Sequence, residues 1–524
     1  MTPKIRIYRT GKLIKETESK QGKTLHQHIS DAGIYLDAPC GGKGLCGKCQ
    51  VRLSPDGEQI LACRTKAEGD MDIYLPEGPE TMKIKTAITG NAAKKPNKPD
   101  KPNKPNKTKK KLGIAIDIGT TTVVAHLTDT ETSERLATAS GVNAQRTYGA
   151  DVISRIQYST ENGHETLTKT IREQLSTMIN ETCTNSGENA NDISYITIAA
   201  NTIMQHIAAG YSPTGMGTVP FNPISLFGDE HPAWENLPTD KNAKIYYTPA
   251  ISSYVGGDIT AGILASGFED APNPAIYLDI GTNGEVVMKT GEKYYCCATA
   301  AGPAFEGAEI TMGMAAISGA INHVKWDEGL QIETIGETAP RGICGSGLID
   351  ALAVLLETGA VDESGQLQDP DQIKHKISQQ IGKVEGKNAF WLTKPDKTKE
   401  PGVYITAKDI RQLQLAKSAI AAGIETLLHH VGIKKQQVKS FIIAGGFGSY
   451  MNRHSAARIG LYPKVFLPVT QTLGNTAGEG AAQALCSKAA REQLENIRNR
   501  SEYIELSTNK IFNEQFIEQM SFYE

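Results

Sequence analysis

The 524-residue sequence contains no apolar run that approaches the roughly 18 residues expected of a membrane span. Its first residues, MTPKIRIY, lack the apolar core of a secretory signal peptide. Charge of one sign is not in large excess, because 55 basic and 58 acidic side chains leave a net charge of −3. These absences argue against a membrane protein, a secreted protein and a nucleic-acid-binding protein, so we expect a cytoplasmic chain.

Two widespread nucleotide-binding motifs are also missing. There is no G-x-x-x-x-G-K-[ST] sequence, which excludes a P-loop protein. No G-x-G-x-x-G sequence follows a first strand, which argues against a Rossmann dinucleotide site. By contrast, 39% hydrophobic and 22% charged residues are ordinary for a folded protein, and the length suggests more than one domain.

A lysine- and proline-rich segment divides the chain. Residues 94–111 read KKPNKPDKPNKPNKTKKK and hold nine lysines against one aspartate. Proline at every third position favours extended polyproline II, and the like charges repel, so the segment cannot bury apolar surface. We predict a flexible linker over 87–111. A docking strip for an acidic partner is the less favoured alternative.

Residues 1–86 predict a small α+β unit of the β-grasp type. Residues 5–8 and 12–15 flank Thr10 and Gly11, which is the pattern of a β-hairpin. Thr24 is a suitable N-cap for a short helix. Three further short apolar runs predict strands, at residues 50–53, 60–62 and 71–75.

Four of the nine cysteines follow the pattern C-x5-C-x2-C-x13-C, at Cys40, Cys46, Cys49 and Cys63. Glycines between the first ligands let the backbone approach closely and aim N–H groups at sulfur, which suits an iron–sulfur cluster. Structural zinc is the alternative, but zinc ribbons usually pair two CxxC knuckles and only one is present here. We therefore predict that the four cysteines hold a [2Fe–2S] cluster. The loop resembles the ferredoxin family, which implies one-electron transfer.

The large unit, residues 112–524, contains an internal repeat. GIAIDIGTTTVVA, which begins at Gly113, is echoed by AIYLDIGTNGEVV, which begins at Ala275, so that Asp117 matches Asp279. Each copy predicts an apolar strand ending at an aspartate, a tight Gly-Thr turn and a second strand. Two copies predict two similar lobes that face each other, which we place at 112–274 and 275–524.

The two turns are suited to binding phosphate, because backbone N–H groups and hydroxyls converge on one spot. Asp117 and Asp279 beside that spot are the catalytic candidates, as holders of Mg²⁺ or positioners of the attacking water. The sequence FIIAGGFGS, which begins at Phe441, predicts a strand and a glycine-rich turn that the adenosine of a nucleotide could approach. The candidate nucleotide-binding residues are Gly119, Thr120, Thr121, Thr122, Gly281, Thr282, Asn283, Gly445, Gly446, Gly448 and Ser449.

No catalytic base stands out. Glu306 and Asp258 are acids in glycine-rich loops, and for each a structural cap is favoured over catalysis. Adjacent Cys296 and Cys297 suggest redox chemistry, but neighbours in a strand point to opposite faces, so we expect ordinary burial.

Two phosphate turns followed by an adenosine turn resemble the actin, sugar-kinase and Hsp70-like ATPase superfamily. The resemblance covers 112–524 and implies a two-lobed α/β ATPase with the nucleotide in the cleft. It also implies two connecting segments, for which residues 201–206 and 474–480 are candidates.

A ferredoxin-like domain linked to such an ATPase resembles the reductive activators of corrinoid proteins, over nearly the whole chain. The stretches 143–151, 301–308, 342–350 and 502–509 strengthen the match. The resemblance implies ATP-dependent transfer of one electron from the [2Fe–2S] cluster to inactive Co(II) corrinoid, which restores Co(I) for methyl transfer. The implied partners are a corrinoid protein of a methyltransferase system and a low-potential electron donor. A homodimer is compatible with it.

Three alternatives stay open. A small-molecule kinase with a redox-sensing ferredoxin domain would phosphorylate a metabolite, and a nucleotide-gated electron carrier would bind ATP without turnover. An activator of another low-potential enzyme, such as a radical-forming dehydratase, is the third. Each 100 mV uphill costs about 2.3 kcal/mol for one electron, which favours an ATP-driven activator over a passive carrier.

Overall fold

The structure is a computed structural model. It describes residues 3–32, 48–76, 110–307, 309–395, 402–448 and 450–522, together with residues 34, 36, 38, 42 and 44. Cys40, Cys46, Ser449 and most of the predicted linker lie outside the described residues. Within these ranges, no helix is long and apolar enough to cross a lipid bilayer.

The described part of the N-terminal unit contains a three-stranded mixed sheet with one helix packed on it, and a separate pair of short strands. Its elements are β1 (Lys4–Arg9), β2 (Lys12–Glu18), α1 (Leu25–Asp31), β3 (Gln50–Val51), β4 (Ile60–Leu61) and β5 (Met71–Leu75). The sheet order is β2-β1-β5, in which β1 is antiparallel to β2 and parallel to β5. This topology confirms the predicted β-grasp-like α+β fold.

Local sequence explains the hairpin and the helix of this unit. Thr10 and Gly11 connect β1 to β2 with φ of 47° and 75°, the left-handed backbone that a two-residue hairpin turn requires. Thr24 caps α1, because its hydroxyl accepts the Gln27 N–H while the Gln27 side chain accepts the Thr24 N–H. The buried side chains of α1 and of the sheet form one core.

The part of the chain after the linker begins with a six-stranded sheet. Its elements are β6 (Leu112–Ile118), β7 (Thr122–Asp129), β8 (Glu134–Val142), α2 (Val152–Asn162), α3 (Glu165–Ser186), β9 (Ile193–Ala200), α4 (Thr202–Ala209), β10 (Glu230–Pro232), β11 (Lys244–Tyr247) and α5 (Gly257–Ser266). The sheet order is β10-β11-β9-β6-β7-β8. In β6 every residue except Asp117 is buried, which explains its nearly continuous apolar sequence.

The rest of the chain contains a second six-stranded sheet and two smaller ones. Its elements are β12 (Ala275–Ile280), β13 (Gly284–Thr290), β14 (Lys293–Thr299), β15 (Ala320–Trp326), β16 (Leu330–Thr334), β17 (Gly342–Ile343), α6 (Gly345–Glu357), β18 (Ile381–Val384), β19 (Lys387–Thr393), β20 (Val403–Thr406), α7 (Ala407–Val431), β21 (Ser440–Ala444), α8 (Arg453–Arg458), β22 (Thr470–Thr472), α9 (Thr476–Cys486), α10 (Lys488–Asn499), β23 (Ser501–Tyr503) and α11 (Lys510–Glu518). The large sheet has the order β22-β21-β12-β13-β14-β23.

The two large sheets are built alike. In the first, β6, β7 and β8 form an antiparallel meander and β9 lies parallel beside β6. In the second, β12, β13 and β14 form the same meander and β21 lies parallel beside β12. The duplication predicted from sequence is therefore present in the fold. All strands of the first large sheet come before residue 274, and all strands of the second come after it. The lobe boundary at 274 itself stays a prediction.

Helix α9 connects the second half of the chain to the first sheet. It begins after Asn475 and packs against α5, β6 and β9. Ala481 and Leu485 of this helix share a buried cluster with small side chains of those elements. At Gly480, a Cβ would come within 2.0 Å of the Ala261 carbonyl oxygen, so glycine permits the close approach of α5 and α9. This packing holds Asn475 beside the end of β6.

Cys296 and Cys297 are both fully buried in β14. Cys296 packs in the hydrophobic cluster that contains Tyr277, whereas Cys297 packs in the cluster that contains Leu278. The two thiols therefore point to opposite faces of the sheet, as expected for neighbours in a strand.

Candidate functional site

A cavity of about 230 Å³ lies where the ends of the two central sheets meet. The predicted residues that line it are Asp117, Gly119, Thr120, Thr121, Thr122, Asp279, Gly281, Thr282, Asn283, Gly445 and Gly446. Gly448 is not among the lining residues; it packs near the Ala444 carbonyl oxygen, which a Cβ would approach to 2.8 Å. The structure thus brings both phosphate turns and the start of the glycine-rich turn to one place.

Each phosphate turn closes with a backbone hydrogen bond. The Gly119 N–H donates to the Thr122 carbonyl at 2.8 Å, and the Gly281 N–H donates to the Asn283 carbonyl at 2.9 Å. In the first turn, the Asn143 side-chain amide also donates to the Gly119 carbonyl at 2.8 Å. These hydrogen bonds fix the shape of both turns, whose residues line the cavity.

Gly445 shows why the third turn is rich in glycine. It follows β21 with φ of 92°, a conformation that side chains with a Cβ rarely adopt. A Cβ here would come within 2.7 Å of both Asp279 Oδ1 and the Ile280 carbonyl oxygen. Glycine at this position lets the end of β21 lie directly against the second phosphate turn.

Three aspartates line the cavity. Burial is the main cause that raises the pKa of Asp117 to about 7, of Asp279 to about 6 and of Asp258 to about 8. The charge of Asp279 adds to the rise for both Asp117 and Asp258. Burial followed by the charge of Asp258 also raises the pKa of Glu285 well above its usual range. The carboxylates therefore raise the cost of ionising one another.

A divalent cation fits this donor set. Among the described residues that line the cavity, none is lysine, arginine or histidine, so no side-chain cation offsets the acids. Hard cations such as Mg²⁺ prefer carboxylate oxygen and water, and a bound cation would lower the pKa of every nearby acid. Asp117 and Asp279, at the ends of β6 and β12, are residues that could hold such a cation.

The connecting segments supply amides to the site. The Asn475 amide donates to Asp117 Oδ2 at 2.6 Å, while Asn475 Oδ1 accepts the Gly478 N–H at the start of α9. Asn201, which precedes α4, donates to Thr120 Oγ1 at 3.2 Å. Both candidate connecting segments therefore contact the first phosphate turn or its aspartate.

Glu306 bridges the two phosphate turns. Its carboxylate accepts a hydrogen bond from Thr121 Oγ1 at 2.6 Å and another from Thr282 Oγ1 at 2.9 Å. This role differs from the cap expected from sequence, because the two hydroxyls lie 185 and 24 residues away. Asp258 does accept a backbone N–H, from Ile259 in the first turn of α5, and it also lines the cavity.

Arg155 is a further residue that sequence reasoning missed. It extends from α2, is fully buried, and donates to the Thr120 carbonyl at 2.6 Å and to the Gly149 carbonyl at 3.0 Å. Burial lowers its pKa to about 9. A charged donor to a turn carbonyl makes a strong hydrogen bond, so Arg155 holds the first phosphate turn from behind. The family resemblance of residues 143–151, just before α2, was the nearest sequence signal.

Aromatic side chains lie beside the glycine-rich turn. Phe447 and Tyr450 line the cavity, and the Phe447 ring is 5.4 Å from the Phe305 ring, centroid to centroid. Flat apolar surfaces next to glycine backbone suit a purine base. Sequence reasoning named the glycines of this turn but not these rings.

The described part of the cysteine cluster fits a metal centre. Cys49 and Cys63 are 1% and 9% exposed, and their sulfur atoms are 3.2 Å apart. A disulfide needs about 2.05 Å, whereas two ligands of one metal centre are farther apart. Gly42 and Gly44 have positive φ, and the Arg64 guanidinium donates to the Gly44 carbonyl at 2.6 Å. The two thiols and the glycine-rich backbone are the donor set expected for an iron–sulfur cluster.

Three known families match consecutive parts of the chain. Residues 9–68 match the 2Fe-2S iron-sulfur cluster binding domain. Residues 112–271 match the RACo middle region, and residues 273–524 match the C-terminal domain of RACo, the ASKHA domain. The iron–sulfur domain precedes the ASKHA domain along the chain, as predicted from sequence.

Similar proteins cover almost the full length. Corrinoid activation enzyme RamQ from Eubacterium limosum is 31% identical over 587 residues, which covers 96% of this chain and 97% of that protein. The Co(II) methylated amine-specific corrinoid protein reductase from Methanosarcina barkeri is 26% identical over 78% of this chain and 77% of its own length. The solved structure of a reductive activator for corrinoid, iron-sulfur protein superposes with a TM-score of 0.74 at 29% identity and covers 99% of this chain and 98% of that one.

Proposed function

Because the chain belongs to the family of reductive activators of corrinoid proteins, we propose that it converts inactive Co(II) corrinoid to Co(I) in an ATP-dependent step. A [2Fe–2S] cluster, when bound by Cys40, Cys46, Cys49 and Cys63, supplies the single electron. The restored Co(I) corrinoid then serves methyl transfer.

The observation that carries this proposal is the composition of the cavity. Two phosphate turns, a glycine-rich turn and three aspartates converge there, in a chain that also contains a pair of buried thiols in ferredoxin-like surroundings. A one-electron reduction that is uphill by a few hundred millivolts needs several kcal/mol, at about 2.3 kcal/mol per 100 mV. Binding and hydrolysis of ATP between the two turns are a suitable source of that energy.

The chain's own residues have distinct roles in this proposal. Thr120, Thr121, Thr122, Thr282 and Asn283 donate to phosphate oxygens from the two turns, with Gly119 and Gly281 closing the turns. Asp117 and Asp279 hold Mg²⁺ and position the attacking water. Gly445 and Gly446 provide the adenosine side of the site, whereas Gly448 does not line the cavity and Ser449 lies outside the described residues.

The partners follow from the chemistry. The oxidised partner is a corrinoid protein of a methyltransferase system, and a low-potential electron donor reloads the iron–sulfur unit. The linker over 87–111 lets that unit move between donor and corrinoid. We place the protein in the cytoplasm, where thiols stay reduced, and a homodimer is the assembly to test first.

An anaerobic preparation tests the proposal directly. The protein should contain iron and labile sulfide, and its ATP hydrolysis should rise when a Co(II) corrinoid protein is added. A small-molecule kinase would instead phosphorylate a metabolite without such stimulation. Zinc in place of iron, or hydrolysis that no corrinoid protein stimulates, would contradict the proposal.

A cysteine variant separates the two halves of the function. Cys63→Ser should abolish the visible spectrum of the cluster and all reduction of Co(II), because a buried ligand is lost, while basal ATP hydrolysis persists. Cys486→Ser, at a half-buried cysteine outside the cluster, is the matched control and should keep both activities. If Cys63→Ser still reduced Co(II), the assignment of the electron source would be wrong.

A further inference from the structure

Glu306 and a terminal phosphate would compete for the same donors. The Glu306 carboxylate accepts from Thr121 Oγ1 and Thr282 Oγ1, one hydroxyl from each phosphate turn. These are the hydroxyls that the proposed function assigns to phosphate oxygens. Two anions cannot share these donors at low cost, because like charges repel strongly where water is scarce.

Glu306 is directly followed by Gly307, whose backbone packs tightly against that of Gly313. Gly307 has φ of 76°, and a Cβ on it would come within 2.5 Å of the Met314 carbonyl oxygen. At Gly313, a Cβ would come within 2.0 Å of the Gly307 carbonyl oxygen. The two backbones are therefore in close contact, and a shift of Glu306 that moves Gly307 would press on Gly313.

Gly313 contacts the iron–sulfur unit. The Lys48 ammonium group donates to the Gly313 carbonyl at 2.8 Å. Lys48 is half-buried and immediately precedes Cys49. The Lys48–Gly313 contact therefore lies one residue from a predicted ligand of the cluster. It is connected to Glu306 through the packing of Gly313 against Gly307.

We propose that Gly313 is the resting dock of this chain's own iron–sulfur unit, and that the terminal phosphate of ATP releases the unit by displacing Glu306. The inference rests on the proposed function, since it assumes that MgATP binds between the two phosphate turns. Release would let the unit travel on the predicted linker toward the corrinoid protein only when ATP is bound.

Hydrogen–deuterium exchange of the full, cluster-loaded chain tests the dock. A non-hydrolysable ATP analogue with Mg²⁺ should speed exchange at least threefold in peptides that cover residues 48–53 and 307–314. ADP with Mg²⁺ should leave both peptides as in the free protein, because it lacks the terminal phosphate. Calorimetry on the same samples establishes whether each nucleotide binds.

Two variants with matched controls test which residues cause the release of the iron–sulfur unit. Glu306→Gln removes the competing charge, so we expect the ATP analogue to bind about tenfold more tightly and residues 48–53 to exchange faster without nucleotide. Glu309→Gln, an exposed acid on the same loop, should change neither. Lys48→Met should speed exchange at 307–314 in the free and ADP-bound protein but add nothing when the ATP analogue is bound, and Lys66→Met, at an exposed lysine of the same unit, should change none of these rates. The visible spectrum of each Lys48 and Lys66 variant verifies that the cluster is retained.

The possible failures are distinguishable. If calorimetry shows no binding of the analogue, the proposed function and the release fall together. If the analogue binds and residues 48–53 keep their exchange rate, the proposed function stands and the release is wrong. Equal behaviour of the Glu306 and Glu309 variants would overturn the role of Glu306, and equal behaviour of the Lys48 and Lys66 variants would overturn the dock.

Discussion

The two phosphate turns share a sequence but are supported in different ways. In the first lobe, the loop between β6 and β7 joins Ile118 to its pairing partner Val123. In the second lobe the pairing between β12 and β13 is shifted by one residue, because Ile280 pairs with Gly284. Duplication has therefore kept the aspartate and the Gly-Thr start of the turn, while the strand pairing that follows has changed.

The difference follows from what packs behind each turn. A Cβ at Gly284 would come within 2.7 Å of Ile420, so α7 presses closely on the second turn and glycine is required there. The first turn has Thr122 at the matching place and is held by the Arg155 guanidinium instead. One turn is held by helix packing and the other by a buried charged hydrogen bond, so they should respond differently to mutation.

The aspartates are the strongest test of functional symmetry between the turns. Asp117→Asn and Asp279→Asn should each lower ATP hydrolysis by about 10²–10³-fold, the usual cost of removing one preorganised electrostatic group. The visible spectrum of the cluster should stay unchanged in both. Asp371→Asn, at an exposed aspartate, serves as the control in the same hydrolysis assay. A loss in only one of the two aspartate variants would show that the duplicated acids do not act together.

A variant of Arg155 tests the hydrogen bond from its guanidinium to the Thr120 carbonyl, which supports the first phosphate turn. Arg155→Met should reduce the free energy of unfolding by roughly 1.5–3 kcal/mol, because the Thr120 carbonyl loses a charged donor. ATP hydrolysis should fall about tenfold as the first turn loosens. Denaturant unfolding and steady-state hydrolysis measure the two effects, with Arg453→Met at an exposed arginine as the control. Unchanged hydrolysis in a destabilised Arg155 variant would make the residue purely structural.

The pH dependence of stability is a smaller effect, and it reports the raised pKa of the acids in the cavity. The native pKa of Asp117 is about 7, whereas an unfolded aspartate titrates near pH 3.9, so the native state holds more protons between these values. Without Mg²⁺, stability should therefore fall as pH rises from about 4 to about 7, by up to about 1.4 kcal/mol per pH unit for each such group. Thermal unfolding with EDTA should show this slope.

Two comparisons sharpen the pH measurement. Mg²⁺ with an ATP analogue should flatten the slope, because a bound cation favours the ionised acids. Asp117→Asn should reduce the slope without the cation, since one titrating group is removed. Stability that rises with pH over this range, or a slope that Mg²⁺ leaves unchanged, would contradict an acidic site for the cation.

The sequence predicted those parts of the site that depend on local pattern. Apolar strands that end at Asp117 and Asp279, the Gly-Thr turns and the glycine-rich turn were all recognisable, and the structure brings them to one cavity. The partners that hold these groups were not recognisable. Asn475 contacts Asp117 across 358 residues, and Glu306 contacts Thr121 across 185, so only tertiary packing decides these pairs.

The most direct test of the account is the absorbance of a Co(II) corrinoid protein mixed anaerobically with this protein. Conversion to Co(I) should occur when reductant and MgATP are both present, and it should stop when either is omitted or when Cys63→Ser replaces the native chain. Equal formation of Co(I) without ATP would contradict the claim that nucleotide bound between the two turns drives the electron to cobalt.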